Sequence, residues 1–219
     1  MTTKPAAHGE HHHAHHFDSV QHEYDSSKEG IWLFMCTEIL MFGGLFVAYI
    51  IFHNIYPEMF AEGAKSLSWK MGFFNTLVLI ASSLTMALGI YYNQINQPKK
   101  AFWNLIATIG LAAVFLVVKY FEYTSKFEHG LLPGKFLDPA AIGAEHANLG
   151  LYFGLYFCMT GLHGLHVVIG MVLIGWVALR THRGEFNEHY YTPVEGVGIF
   201  WHIVDLIWIF LFPLLYLVG

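Results

Sequence analysis

Apolar residues in this chain gather in five long runs, each about as long as a helix that crosses a membrane. A helix needs about 20 apolar residues to span a bilayer. The runs lie near 30–54, 70–94, 101–125, 148–180 and 194–218. The pattern therefore predicts an all-α fold, a polytopic membrane helix bundle with five transmembrane helices.

Polar residues dominate the first segment of the chain and the connections between the apolar runs. Residues 1–29 form a polar tail that carries the run His8 to His16 and then His22. Such a segment cannot bury enough apolar surface to fold by itself. We therefore predict a polar His-rich tail at 1–29 and a five-helix domain at 30–219, with loops near 55–69 and 126–147.

Three roles are open for the histidines of the tail. Histidine tracts bind zinc or copper, and imidazoles also exchange protons near neutral pH. The simplest interpretation is a solvated arm without a role of its own.

Composition supports a membrane protein and gives no indication of a nucleic-acid partner. Charged residues make up 12% of the chain, against about 25% in ordinary soluble domains, and the formal net charge is −5. The two cysteines, Cys36 and Cys158, lie in apolar runs and have neither metal-ligand nor disulfide spacing. We expect both to be small buried residues.

The distribution of basic residues predicts the orientation of the bundle. Cytoplasmic loops of membrane proteins carry an excess of Lys and Arg. The tail and the second and fourth connections carry both arginines near the membrane and the pair Lys99 and Lys100. This predicts a cytoplasmic N-terminus and, after five spans, a C-terminus on the outside. Glycines spaced for close helix contact, among them Gly43, Gly154, Gly161 and Gly164, are predicted to mark the packing faces.

Ionisable residues inside four of the five runs are the candidate functional residues. A charge at bilayer depth costs roughly 2.5 kcal/mol or more, so such residues normally face the protein interior. We predict a buried polar network formed by Glu38, His163, His166, His202 and Asp205.

Spacing suggests how these residues interact. His163 and His166 are three apart, which places them on one helix face. Hydrogen bonding is the simpler interpretation and metal binding the alternative. His202 and Asp205 have the same spacing and are predicted to pair with each other. Glu38 has no partner of opposite charge on its own helix, so it finds one on another helix or stays protonated.

Lys119 and Glu122 lie near the end of the third run and can also pair. Tyrosines flank them, and tyrosine suits the headgroup level of a membrane. We predict an interfacial pair that anchors the helix. The outer tryptophans are predicted to lie in the same belt; they are Trp32, Trp69, Trp103 and Trp176.

Five motifs together resemble subunit III of haem-copper terminal oxidases, in the five-helix form of bacterial cytochrome c oxidase. They occur in the family's order and cover roughly residues 28–218, without the tail. The last two are highly specific. The motifs are TEILMF (37–42), NTLVLIASSLT (75–85), KYFEY (119–123), TGLHGLHVVIG (160–170) and FWHIVDLIWIFLF (200–212).

The resemblance implies a subunit without a redox centre of its own, so we assign no catalytic residue and no metal ligand. It implies haems and copper in partner subunits, direct packing against the catalytic subunit I, subunit II in the same hetero-oligomeric complex, and bound phospholipid. It further implies support of proton uptake, and a location in the bacterial inner membrane. Glu38 matches the family's buried carbodiimide-reactive carboxylate.

The residues themselves agree with the expected lack of oxygen chemistry. Reducing oxygen needs haems and a copper ion held by many histidines, and only His163, His166 and His202 lie well inside the runs. Subunit III of a quinol oxidase and a homologue associated with nitric oxide reductases remain alternatives. A small proton or metal transporter that uses the polar network is an alternative of another class.

Overall fold

The computed structural model describes residues 20–128, 149–186 and 190–218. Six helices make up nearly all of this part of the chain. They are α1 (Val20–Ile55), α2 (Pro57–Lys65), α3 (Trp69–Gln94), α4 (Pro98–Glu128), α5 (Leu149–His182) and α6 (Thr192–Tyr216).

Five of these helices are long and apolar enough to cross a membrane. Their spans are Asp25–Ile55, Trp69–Gln94, Pro98–Glu128, Leu149–His182 and Thr192–Tyr216. Each coincides with one of the five apolar runs, so the predicted all-α bundle of five transmembrane helices is confirmed.

The short helix α2 lies where the sequence predicts a loop. Pro57 occupies its first turn, where the fixed φ of proline suits a helix and its missing N–H is not needed. Met59 and Phe60 are buried on its inner face. The prediction was wrong because Pro57 indicates equally a loop residue and the start of a helix, and burial of the next two apolar residues decides between them.

Helices α3, α4, α5 and α6 form the body of the bundle. Helix α5 packs against α4 and α6, and α3 packs against the same two helices from the other side. Helix α6 is buried most: over its most apolar stretch 56% of the residues are buried, against 17% in α1. Helix α1 therefore lies at the edge of the bundle, and the described part of the chain leaves most of its apolar surface uncovered.

Contacts between helix ends show which termini lie together. Phe102 at the start of α4 contacts His182 at the end of α5, with 5.0 Å between ring centroids. Lys28 in α1 lies 3.9 Å from Glu195 in α6. At the opposite end, Nε2 of His53 lies 3.2 Å from the carbonyl oxygen of Val218. Successive long helices thus run in alternating directions.

The predicted tail is only partly described. Helix α1 begins at Val20, so the end of the segment that the sequence assigns to the tail is helical. The run His8 to His16 lies outside the described residues, and so does most of the predicted loop 126–147, since α4 continues to Glu128.

Outward-facing residues agree with one prediction and contradict another. Trp32, Trp69, Trp103 and Trp176 are all exposed on the surface of the bundle, as residues of an aromatic belt require. Cys36 and Cys158 are also exposed, as free thiols. The prediction that both cysteines are buried was wrong, because an apolar run in a membrane helix includes its outer face as well as its inner one.

The glycines that allow close packing are not the predicted ones. A Cβ atom at Gly43, Gly154 or Gly164 would meet no atom within 4 Å. A Cβ atom at Gly170, in contrast, would lie 2.6 Å from the ring of the fully buried Trp201. Spacing alone misled because every turn of an apolar helix offers positions for small residues, and only the neighbouring helix decides which turn is in contact.

Substitution of Gly170 by Ala should destabilise the bundle, and the same change at Gly164 should not. Relief of the contact with Trp201 requires a shift in the core, which typically costs about 1–3 kcal/mol. Alanine gains up to about 1 kcal/mol over glycine in a helix, and this gain is unopposed at Gly164. Thermal unfolding of the detergent-solubilised protein measures both changes, and equal midpoints for the two variants would contradict this packing.

Candidate functional site

The predicted polar network is divided into separate clusters. Glu38 of α1 reaches His166 of α5, and Lys119 and Glu122 of α4 form a second cluster at the end of the bundle. His202 and Asp205 of α6 face α3. His163 lies between aromatic rings.

The Glu38–His166 pair joins the edge helix α1 to the central helix α5. Nε2 of His166 lies 2.8 Å from Oε2 of Glu38. The Nδ1 atom lies 2.7 Å from the carbonyl oxygen of Leu162, one turn earlier. The rings of Phe42 and Phe200 flank the imidazole. The prediction that Glu38 finds its partner on another helix is confirmed for His166.

This pair can hold a proton in either of two places. A carbonyl oxygen only accepts, so the Nδ1–H of His166 donates to Leu162. Nε2 then either accepts a hydrogen bond from a protonated Glu38 or, in an imidazolium, donates one to a carboxylate. Both ring nitrogens are engaged in either state, which leaves His166 no free lone pair for a metal ion.

His163 does not join this pair, although it lies only three residues away. Its side chain is fully buried, and neither ring nitrogen finds a hydrogen-bond partner among the described residues. The ring packs against Phe115 and Trp208, with centroid distances of 5.5 and 5.2 Å. Among the described residues, Glu38 thus bonds to His166 and not to His163.

His202 and Asp205 do not pair with each other, so this prediction was wrong. Nδ1 of His202 lies 2.7 Å from the hydroxyl oxygen of Ser83, and Oδ2 of Asp205 lies 3.4 Å from that of Ser82. Two adjacent serines of α3 thus face the two side chains separately. Spacing on one helix places side chains side by side, but the polar groups of the neighbouring helix determine where each one points.

The Lys119–Glu122 pair is confirmed and is the centre of a larger cluster. Nζ of Lys119 donates to Oε2 of Glu122 at 3.0 Å and to the Tyr216 hydroxyl at 2.8 Å. The hydroxyls of Tyr156 and Tyr216 donate to Oε1 of Glu122 at 2.9 and 2.6 Å. The cluster therefore connects α4 with α5 and α6.

The pair lies near the end of the bundle, but it does not face outward as an interfacial anchor would. Lys119 is 7% exposed and Glu122 is 3% exposed, so both are inside the bundle. The ammonium group of Lys119 also lies 4.8 Å from the ring centre of Trp208, within the range of a cation–π interaction. The flanking Tyr120 and Phe121, in contrast, point outward.

Sequence reasoning missed the residues that complete these clusters. Tyr156, Tyr216, Ser82 and Ser83 supply the hydroxyl groups, and Nζ of Lys126 donates to the backbone carbonyl of Ser66 beside α2. The only signal available was the presence of hydroxyl groups inside apolar runs. Such residues are common in membrane helices because they can bond to their own backbone, as Thr160 does.

Removal of both partners of the Lys119–Glu122 pair should cost less than the sum of the two single removals. A single Lys119→Met or Glu122→Gln change leaves a buried polar group short of its partner, which typically costs about 3–5 kcal/mol. The double variant should cost less than the sum by about 0.5–3 kcal/mol. Unfolding of the solubilised protein measures the four corners of this cycle.

The exposed Lys99 provides the matched control. Lys99→Met should change the free energy of unfolding by no more than about 0.5 kcal/mol. Strictly additive costs for Lys119 and Glu122 would show that the pair is not coupled.

Comparison of the sequence with known proteins finds relatives of one family. The family model described as "Cytochrome c oxidase subunit III" matches residues 142–219. Cytochrome c oxidase subunit 3 of Thermostichus vulcanus is 35% identical over 201 residues, which is 90% of this chain and 90% of that protein.

Two further relatives cover nearly the whole chain. Cytochrome c oxidase subunit 3 of Synechocystis sp. is 31% identical over 98% of this chain and 81% of its own length. The probable quinol oxidase subunit 3 of Staphylococcus aureus (strain USA300) is 26% identical over 92% of this chain and 94% of its own length. With five apolar helices and similarity over nine tenths of its length, the chain belongs to the subunit III family of haem-copper oxidases.

Proposed function

We propose that this chain is the non-redox subunit III of a bacterial respiratory cytochrome c oxidase. It packs against subunit I in a complex that also contains subunit II, binds phospholipid, and supports proton uptake during aerobic electron transport. The observation that carries the proposal is the similarity to cytochrome c oxidase subunit 3 over 90% of the chain. The haems and copper belong to the partner subunits.

The edge position of α1 supports a role in assembly. Much of its apolar surface is uncovered, including Leu33, Leu40 and Val47. In a membrane such a surface is covered by lipid or by another subunit. Helix α1 contacts α2, α5 and α6, and phospholipid beside its uncovered surface would fill the space next to the bundle.

The proposed orientation has the N-terminus in the cytoplasm of a bacterial inner membrane and the C-terminus outside. The two arginines at the end of α5, Arg180 and Arg183, and the start of α4 with Lys99 lie at the same end of the bundle as Lys28. This distribution fits the excess of basic residues on cytoplasmic surfaces.

A quinol oxidase subunit III is the second candidate, because the Staphylococcus relatives carry that description. The transporter alternative is less well supported. A transported proton or metal ion needs a continuous polar path, whereas the ionisable residues form separate clusters with aromatic rings around His163.

Native mass spectrometry of the complex purified through a tag on this chain tests the assembly. We expect a haem-containing subunit I, a copper-containing subunit II and bound phospholipid, with no metal ion on this chain once the subunits separate. Oxidation of reduced cytochrome c, compared with oxidation of a quinol, then identifies the electron donor. Purification of the chain alone, with a metal ion bound tightly inside the bundle, would support a transporter.

The histidine tail offers a test of proton supply. Seven of the histidines lie in the first 22 residues, and near a cytoplasmic proton entrance they would buffer proton uptake. Replacement of the six histidines from His8 to His16 by Asn keeps the length of the tail. Turnover of the complex should then slow above about pH 7.5, where unassisted supply of protons becomes limiting.

The same measurement below about pH 6.5 is the internal control, because protons are abundant there and both complexes should turn over equally. Equal turnover across the whole range would leave the tail without a role in proton uptake.

A further inference from the structure

A groove on the outer surface between α3 and α6 combines apolar walls with a polar floor. Its cavity volume is about 280 Å³. We call it the His202–Asp205 groove. Its lining residues are Leu79, Ile80, Ser83, His202, Asp205, Leu206 and Ile209.

The polar side chains at the floor of the groove lack some of their hydrogen-bond partners among the described residues. Oδ1 of Asp205 has no hydrogen-bond partner among the described residues, and the residue is only 3% exposed. Oδ2 faces the Ser82 hydroxyl at 3.4 Å. That hydroxyl has one hydrogen and lies closer, at 2.8 Å, to the carbonyl oxygen of Leu79. A buried carboxyl group with such weak partners is costly, so this site calls for a further hydrogen-bonding group.

His202 adds a second group of the same kind. Its Nδ1 atom is bonded to Ser83, and its Nε2 atom has no partner in the described part of the chain. The ring lines the same groove as Asp205. Two polar side chains, each with one atom that lacks a partner among the described residues, therefore share one opening at the surface of the bundle.

The depth of the groove in the membrane limits what can fill it. Asp205 lies 13 residues from Thr192 and 11 from Tyr216, or about 20 and 16 Å at 1.5 Å per residue. It is therefore close to the middle of a hydrocarbon core about 30 Å thick. Lipid headgroups do not reach this depth, and acyl chains carry no group that can bond to a carboxyl or an imidazole.

The shape of the groove argues against a small molecule. Typical small-molecule pockets enclose most of the ligand surface. The walls Ile80, Leu206 and Ile209 are about half exposed, so the groove is open along its side. The apolar surface continues along α3 through Phe73, Leu77 and Leu84, which are also exposed. The result is an apolar surface about as long as a transmembrane helix, with the polar side chains of His202 and Asp205 near its middle.

We propose that the His202–Asp205 groove is a docking site for a transmembrane helix of another subunit of the complex, and that this helix places a hydrogen-bonding side chain against Asp205 and His202. The partner helix carries a residue such as Arg, Lys, Trp or Ser near the centre of its span, among apolar residues that cover the walls. The inference rests on the proposed function, since it requires a complex, and it assigns one contact surface within that complex.

Photo-crosslinking in the intact complex tests the occupant directly. A benzophenone amino acid at Leu206 or Ile80 should form an adduct with another subunit. The same probe at Val117 of α4 is the matched control for random contacts. Val117 is equally exposed but does not line the groove. Adducts with phospholipid only, with a quinol, or with a second copy of this chain would overturn the proposal.

Substitution of Asp205 by Leu further distinguishes a docked helix from lipid acyl chains as the occupant of the groove. If a polar side chain of a partner bonds to Asp205, its loss leaves that group unsatisfied and should lower retention of this chain in the purified complex about tenfold or more. If acyl chains fill the groove, replacement of an unpaired carboxyl by an apolar residue should leave retention unchanged or raise it.

Leu206→Trp provides a variant that leaves the polar groups in place. The larger ring should block a docked helix and lower retention, whereas Val117→Trp should not. Undiminished retention in Leu206→Trp would overturn the proposal even if Asp205→Leu fails to fold. Co-purification of haem with the unmodified chain is measured in parallel: its absence contradicts the proposed function, whereas its presence with no groove-dependent effect contradicts the docking site alone.

Discussion

The free-energy cost of burying charged and polar groups inside a low-dielectric bundle is the constraint on which this structure depends. The Lys119–Glu122 pair shows it most clearly. An ammonium and a carboxylate at 3.0 Å would still be costly to bury as an isolated pair. Hydroxyl groups from Tyr156 and Tyr216 complete the bonds of both ions. One cluster therefore fixes the relative positions of α4, α5 and α6, and the aromatic core packs around it.

The same constraint explains why the polar residues do not form one continuous path. Each cluster finds its hydrogen bonds locally: Glu38 with His166, His202 through Nδ1 with Ser83, and Lys119 with Glu122 and Tyr216. Between them lie fully buried rings such as Trp201 and Trp208. This arrangement suits a subunit that supports a complex better than one that conducts ions through its own interior. Some buried polar atoms of the described residues have no partner. At His163 aromatic rings surround them, and at Asp205 the unbonded oxygen belongs to the proposed docking groove.

The position of α1 connects the fold with its setting in a complex. This helix is held to the bundle by Glu38–His166, by contacts near its ends and by α2. The described part of the chain leaves much of its apolar surface uncovered, including Leu33 and Leu40. A soluble protein would aggregate through such a surface, but a membrane subunit exposes it to lipid or to a partner. Membership in the oxidase subunit III family is consistent with this incomplete cover.

The sequence by itself determined the number and type of the long helices, because hydropathy over about 20 residues reflects the thickness of the bilayer and needs no knowledge of neighbours. It also determined that Glu38, Lys119 and Asp205 need partners, because burial of a charge is costly anywhere in a membrane. The tertiary structure decided which partners they have. His202 and Asp205 lie three residues apart on one helix, yet each bonds to α3 and not to the other. Gly170, and not Gly164, is the glycine at which a neighbouring helix packs closely. A helical sequence specifies the direction of a side chain only relative to its own axis, so rotation of each helix against its neighbours is fixed by packing alone.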